Sequence, residues 1–122
     1  MDRKIVLSKS IFKKLAIGWT GAILFATLSP SDEISQFEIP IPHFDKIVHF
    51  GLFCVHSFLV SASVASKRWI LIPLMLGLAL AGSTEMLQSY VPGRQSDWLD
   101  LLADVAGTAI GLLSIYFIKK NE

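Results

Sequence analysis

The chain alternates long apolar runs with short polar breaks, and the runs have the length of membrane helices. An α-helix needs about 20 mostly apolar residues to cross a bilayer. Stretches at about 11–28, 47–65, 69–91 and 98–118 meet or approach that requirement. The breaks carry turn chemistry. Ser29-Pro30-Ser31 closes the first run, Ser66-Lys67-Arg68 parts the second from the third, and Pro92-Gly93-Arg94 turns the third into the fourth. The pattern predicts an all-α, polytopic membrane protein, a four-transmembrane-helix bundle forming one domain over residues 1–122. The first run has a rival reading as a secretory signal, because Lys13 and Lys14 lie at its start. Ala26-Thr27-Leu28 makes a poor cleavage site, so a retained helix is the preferred reading.

Composition agrees. Apolar residues make up 52% of the chain, and its mean hydropathy is +0.56. A soluble domain this small cannot hide so much apolar surface, because small folds leave much of their surface exposed. A net charge of +1 suggests no nucleic-acid partner, and a single cysteine, Cys54, excludes an internal disulfide. The distribution of charge says more than its sum. Arg3, Lys4, Lys9, Lys13, Lys14, Lys67, Arg68, Lys119 and Lys120 fall on one side of a four-span topology, and only Lys46 and Arg94 on the other. Basic residues concentrate on the cytoplasmic side. Both termini are therefore expected in the cytoplasm, with the loop 30–46 and the turn 92–97 outside. Trp69 then suits the inner interface and Trp98 the outer one. Ile39-Pro40-Ile41-Pro42 reads as a stiff extended strip in the outer loop.

Ionisable residues inside a span cost on the order of ~3 kcal/mol at its centre and persist where they face protein or water. Here they follow helical spacing. Asp45, His49 and His56 share one face of the second span. Glu85 and Gln88 lie near the outer end of the third, where Gly77, Gly82 and Ser83 would allow a close neighbour. Asp97, Asp100 and Asp104 form an acidic stripe that opens the fourth span, and Gly107 and Gly111 continue it inward. The expectation is a polar cavity open to the outer leaflet. Its binding residues would be Asp45, Lys46, His49, Glu85, Gln88, Arg94, Asp100 and Asp104.

Each residue also has a plainer role. Asp97 suits a helix N-cap, and Asp100 a first turn, where the helix dipole favours a carboxylate. Asp104 and Glu85 could be hydrogen-bonded packing contacts or proton-handling groups, with Arg94 or Lys46 as an ion-pair partner for Glu85. Asp45 and His49 could be a simple i,i+4 pair or an oriented base. His56 suits a helix–helix hydrogen bond better than a ligand role. Arg94 could grip a phosphate or serve as the counter-ion of the acids. The two histidines and several carboxylates could also hold a divalent metal, but no compact metal-ligand motif is present, so neither a metal nor a cofactor is expected.

These residues carry a family resemblance. Asp45-Lys46-Ile47-Val48-His49-Phe50, followed by Phe53, resembles the D-K-x-x-H-F-x-x-[YF] element of the VanZ-like family. Glu85-Met86-Leu87-Gln88, then Pro92-Gly93-Arg94, Asp97 and Asp100, resembles its E-x-x-Q-x-x-x-P-x-R-x-x-D-x-x-D element. Gly107 and Gly111 fall where the family has glycines. The resemblance runs from about residue 42 to 118. One departure is Asp104, where the family often has asparagine. The family takes its name from a membrane protein associated with low-level teicoplanin resistance. The resemblance implies a bacterial cell-envelope protein of the plasma (inner) membrane and brings no settled activity with it. Membrane lipids are the expected partners, together with a lipid-linked cell-wall precursor or a glycopeptide.

Two functions compete. The first is binding of an anionic lipid head group or cell-wall precursor, with Arg94 and Lys46 holding the anion. The second is a small intramembrane hydrolase or transferase, with His49, Glu85 and Asp104 as catalytic candidates. A coupled transporter ranks last, because polar groups do not continue to the inner side.

Overall fold

A computed structural model describes residues 8–29, 41–64 and 68–121. Among the described residues four helices follow one another: α1 (Lys9–Leu28), α2 (Phe44–Ser63), α3 (Leu71–Gln88) and α4 (Trp98–Lys120). Among the described residues there is no strand. Each helix is long and apolar enough to cross a membrane. Even α3, the shortest at 18 residues, reaches about 27 Å at ~1.5 Å per residue, close to the ~30 Å of bilayer hydrocarbon.

The helix ends differ from the apolar runs for local reasons. α2 starts at Phe44 rather than near residue 47, with His43 as its N-cap in the left-handed region at φ 58°. α3 is trimmed at both ends relative to 69–91. Trp69 and Ile70 lie in a turn ahead of it. Pro73 sits in the first helical turn, where proline is tolerated, and the Trp69 carbonyl that its missing N–H cannot serve accepts from Ser61 Oγ at 3.2 Å. At the other end Val91 precedes Pro92, which disfavours helical backbone at residue 91. The chain tightens there through Tyr90 N–H to Leu87 O and Val91 N–H to Gln88 O, both at 3.1 Å. The Ile39-Pro40 strip and the basic residues Arg3, Lys4 and Lys67 lie outside the described residues.

Around a small apolar core of Ile23, Phe53 and Ala81, the interior is unusually polar and the exterior apolar. The most deeply buried side chains include Thr27, Ser57, Ser61, Thr84, Gln88, Asp104 and Thr108, while Phe25, Met75, Met86 and Phe117 face outward. In water such a surface would aggregate. In lipid it is the correct exterior, and the molecule is a membrane helical bundle.

α2 and α4 form the most extensive pairing, and two glycines set its closeness. A Cβ on Gly107 would collide with the carbonyl oxygen of Phe50, and one on Gly111 with the carbonyl of Cys54 and the hydroxyl of Ser57. Small residues allow backbones to approach in this way. Gly77 of α3 likewise leaves room for Thr108, whose Cγ2 would lie 2.8 Å from an added Cβ. Gly82 and Ser83 do not share that role. Both are exposed, and a Cβ on Gly82 would meet nothing within 4 Å. The helical phase that buries Gly77, Ala81, Thr84 and Gln88 turns residues 82 and 83 outward.

The two ends of the bundle differ in character. At one end Trp69 stacks on Tyr116 at 6.5 Å between ring centroids, and Lys119 Nζ lies 4.6 Å above the Trp69 ring. This cation–aromatic cluster is typical of a membrane interface. Trp98 and Tyr90 lie exposed at the opposite, acidic end.

Candidate functional site

Three helices deliver ionisable side chains to the acidic end. α4 begins at Asp97, whose carboxylate accepts the Leu99 N–H at 2.9 Å, so the capping role read from sequence is met. The same carboxylate accepts from Lys46 Nζ at 2.8 Å, and that hydrogen bond holds Asp97 below the usual carboxylate range. Lys46 also pairs with its neighbour Asp45 and lies 3.0 Å from Asp100 Oδ1. Three carboxylates therefore surround one ammonium.

One turn deeper, His49 Nδ1 meets Asp104 Oδ1 at 2.8 Å. Its other nitrogen, Nε2, is 3.7 Å from Asp100 Oδ2. The sequence spacing favoured Asp45 as the partner of His49. The structure instead turns Asp45 to the surface, its side chain 59% exposed, and orients the imidazole through α4. The reason is the α2–α4 approach at Gly107 and Gly111, which brings the buried face of α2 onto the acidic stripe.

Glu85 completes the cluster from α3. Its Oε2 accepts the backbone N–H of Asp97 at 3.0 Å, an anion held at the start of α4. Ligand-type atoms of His49, Glu85 and Asp104 all lie within 4.8 Å of one another. The three residues are 5%, 7% and 0% exposed, so they close on one another rather than line an open recess. A cleft of about 430 Å³ beside them is lined by Lys46, His43, Leu99, Leu102, Ala103 and Ala106. A cavity of about 700 Å³ lies toward the other end, bounded by residues that include Lys13, His56, Val60, Leu76 and Ser83.

Several buried acceptors lack donors. Glu85 Oε1, Asp104 Oδ2 and Gln88 Oε1 have no hydrogen-bond partner among the described residues, and neither does His56 Nδ1. The helix–helix hydrogen bond anticipated for His56 is therefore not made through that nitrogen. Its ring leans on Phe53, with centroids 6.3 Å apart.

Arg94 and Gln88 do something the sequence reading missed. Arg94 Nε donates to Ser29 O at 3.0 Å and Nη2 to Ala26 O at 3.2 Å. Gln88 Nε2 donates to Thr27 O at 2.8 Å. The last carbonyls of a helix have no intrahelical donor, and hydrocarbon cannot supply one. The residue that would have served Ala26 O is position 30, a proline, which has no N–H. Pro30 was the available signal in the sequence, but nothing local says which distant donor replaces it. Arg94 thus caps α1, where its charge also suits the helix C-terminus, instead of pairing with Glu85. Arg94→Ala should lower stability by about 1–3 kcal/mol through these lost charged bonds. Thermal unfolding in detergent micelles would measure this, and an unchanged midpoint would rule out the capping role.

Both sequence elements now have a place: the first supplies Lys46 and His49, the second Glu85, Gln88, Arg94, Asp97 and Asp100. A model of the VanZ/LLP1 family matches residues 5–119. The chain belongs to the VanZ/LLP1 family. No curated protein and no solved structure matches it. In this VanZ/LLP1 member the residues of the two elements divide by task. Gln88 and Arg94 tie α1 to the α3–α4 turn, while His49, Glu85 and Asp100 gather at the buried polar centre with Asp104.

Proposed function

We propose that this VanZ/LLP1 protein lies in the bacterial plasma membrane with both termini cytoplasmic and binds the head group of a lipid or lipid-linked cell-wall precursor at its outer end. The observation that carries this reading is the convergence of His49, Glu85, Asp100 and Asp104 from three helices on one end of the bundle. Ionisable groups at membrane depth are retained for function more often than for stability. The basic excess at the other end supports the orientation.

The chemistry of recognition differs from a simple anion grip. Lys46 is surrounded by carboxylates, and Arg94 is spent on α1. The unpartnered atoms of Glu85, Gln88 and Asp104 are all oxygens. These residues are closed off from the exterior, so binding requires this end of the bundle to open, and a head group complementary to the opened site offers hydroxyl, amide or ammonium donors, as the sugar and peptide of a wall precursor do. Reduced teicoplanin susceptibility of cells that express the chain is the proposed physiological consequence.

Native mass spectrometry of the detergent-purified chain can test this against phosphatidylglycerol, phosphatidylethanolamine and a lipid-linked wall precursor. The expected result is a retained precursor adduct that Glu85→Gln weakens about tenfold or more, since the mutant replaces a charged acceptor. Adducts of equal strength in both proteins, or none in either, would end the proposal.

The His49–Asp104 pair favours a second reading, a hydrolase or transferase, because a carboxylate on one imidazole nitrogen fixes the tautomer of the other. Arg94 has no part in it. Turnover of the precursor by the wild type, lost in His49→Gln while binding persists, would separate catalysis from binding.

A further inference from the structure

We infer that His49, Glu85 and Asp104 form a seat for one divalent first-row transition-metal ion, of the Zn²⁺ or Mn²⁺ kind. One imidazole and two carboxylates make a mixed nitrogen–oxygen set that suits such ions better than the all-oxygen shells favoured by Mg²⁺ and Ca²⁺. Each residue comes from a different helix, and one ligand atom from each lies within 4.8 Å of the others. Ligands about 2.0–2.2 Å from a shared ion stand roughly 3–4 Å apart, so a contraction of rotamer size closes the site.

An independent observation points to a missing partner. Glu85 Oε1 and Asp104 Oδ2 are buried and unpartnered, on residues 7% and 0% exposed. A buried carboxylate oxygen without a donor is costly, and two of them beside one imidazole call for a cation. Lys46 does not meet this need, since its ammonium is occupied by Asp45, Asp97 and Asp100. Glu85 is already oriented by the Asp97 N–H on its other oxygen, the kind of outer support that aims metal ligands. Two carboxylates and a neutral imidazole would be balanced by the ion.

The full chain, purified in detergent and stripped with chelator, should be titrated calorimetrically with Zn²⁺, Mn²⁺ and Mg²⁺ in the absence of added lipid, with metal content measured by mass spectrometry. The expected result is one Zn²⁺ or Mn²⁺ per chain, with Mg²⁺ far weaker. Glu85→Gln and His49→Ala should each weaken binding at least about tenfold, while His43→Asn, an exposed histidine at the same end, should leave it unchanged. Circular dichroism checks that each variant is folded; if His49→Ala is not, the near-isosteric Glu85→Gln decides. No stoichiometric ion, wild-type affinity in Glu85→Gln, or loss of binding in His43→Asn would overturn the inference. A chain that takes the ion but no precursor keeps the metal seat and loses the head-group reading. One that binds precursor after chelation and takes no ion does the reverse.

Discussion

Asp104→Ala is expected to cost the bundle about 3–5 kcal/mol, the range for removing one partner of a buried pair. The loss is large because His49 is itself buried and its Nδ1 has Asp104 as hydrogen-bond partner. Asp104→Asn should behave differently. The amide oxygen can still accept from Nδ1, so the cost should be no more than about 1–2 kcal/mol. Reversible unfolding in mixed micelles would measure both variants, and an alanine variant as stable as the asparagine variant would show that the pair contributes little. A metal seat adds a further separation, because asparagine preserves the hydrogen bond while removing a carboxylate charge. Asp104→Asn should then be stable yet weaker in binding Zn²⁺.

Gly111→Leu is the second large effect. A Cβ at this position already meets the Cys54 carbonyl and the Ser57 hydroxyl, so a leucine must push α2 and α4 apart. We expect a loss of about 3 kcal/mol or more, the upper end for overpacking, together with separation of His49 from Asp104. Gly82→Leu on the outward face of α3, where an added Cβ meets nothing within 4 Å, should change stability by no more than about 0.5 kcal/mol. The contrast between two identical substitutions isolates helix contact from helix propensity. Equal stability of the two variants, measured by the same unfolding assay, would mean that the α2–α4 approach is looser than the glycines indicate.

Much of the architecture was legible from residue spacing. Apolar length locates the helices, and the Gly107/Gly111 repeat marks a contact surface before any partner helix is known. Burial of Asp100 and Asp104 on one face follows from their i,i+4 spacing. Partners were harder to read. Asp45 and Asp104 are both plausible mates for His49, and the choice depends on how α2 and α4 register against each other. Arg94 illustrates the same limit. A cation next to several acids suggests an ion pair, yet its actual acceptors are carbonyls of α1, more than sixty positions away along the chain. Backbone acceptors carry no side-chain signature, so a partner of this kind is invisible to pattern reading. Closure of the polar cluster is a further case, because spacing places residues on a face without saying whether the faces meet.

The tie between the end of α1 and residues 88 and 94 has a consequence for biogenesis. A ribosome makes α1 well before it makes Gln88 and Arg94. During that interval the carbonyls of Ala26, Thr27 and Ser29 can be served only by water or head groups, which holds the tip of the nascent first helix at the membrane surface. Those carbonyls gain their protein donors only when the third and fourth helices arrive as a hairpin. Only the C-terminal tip of α1 waits for them, since the body of the helix already meets α2 through the Trp19 ring N–H and the Leu52 carbonyl.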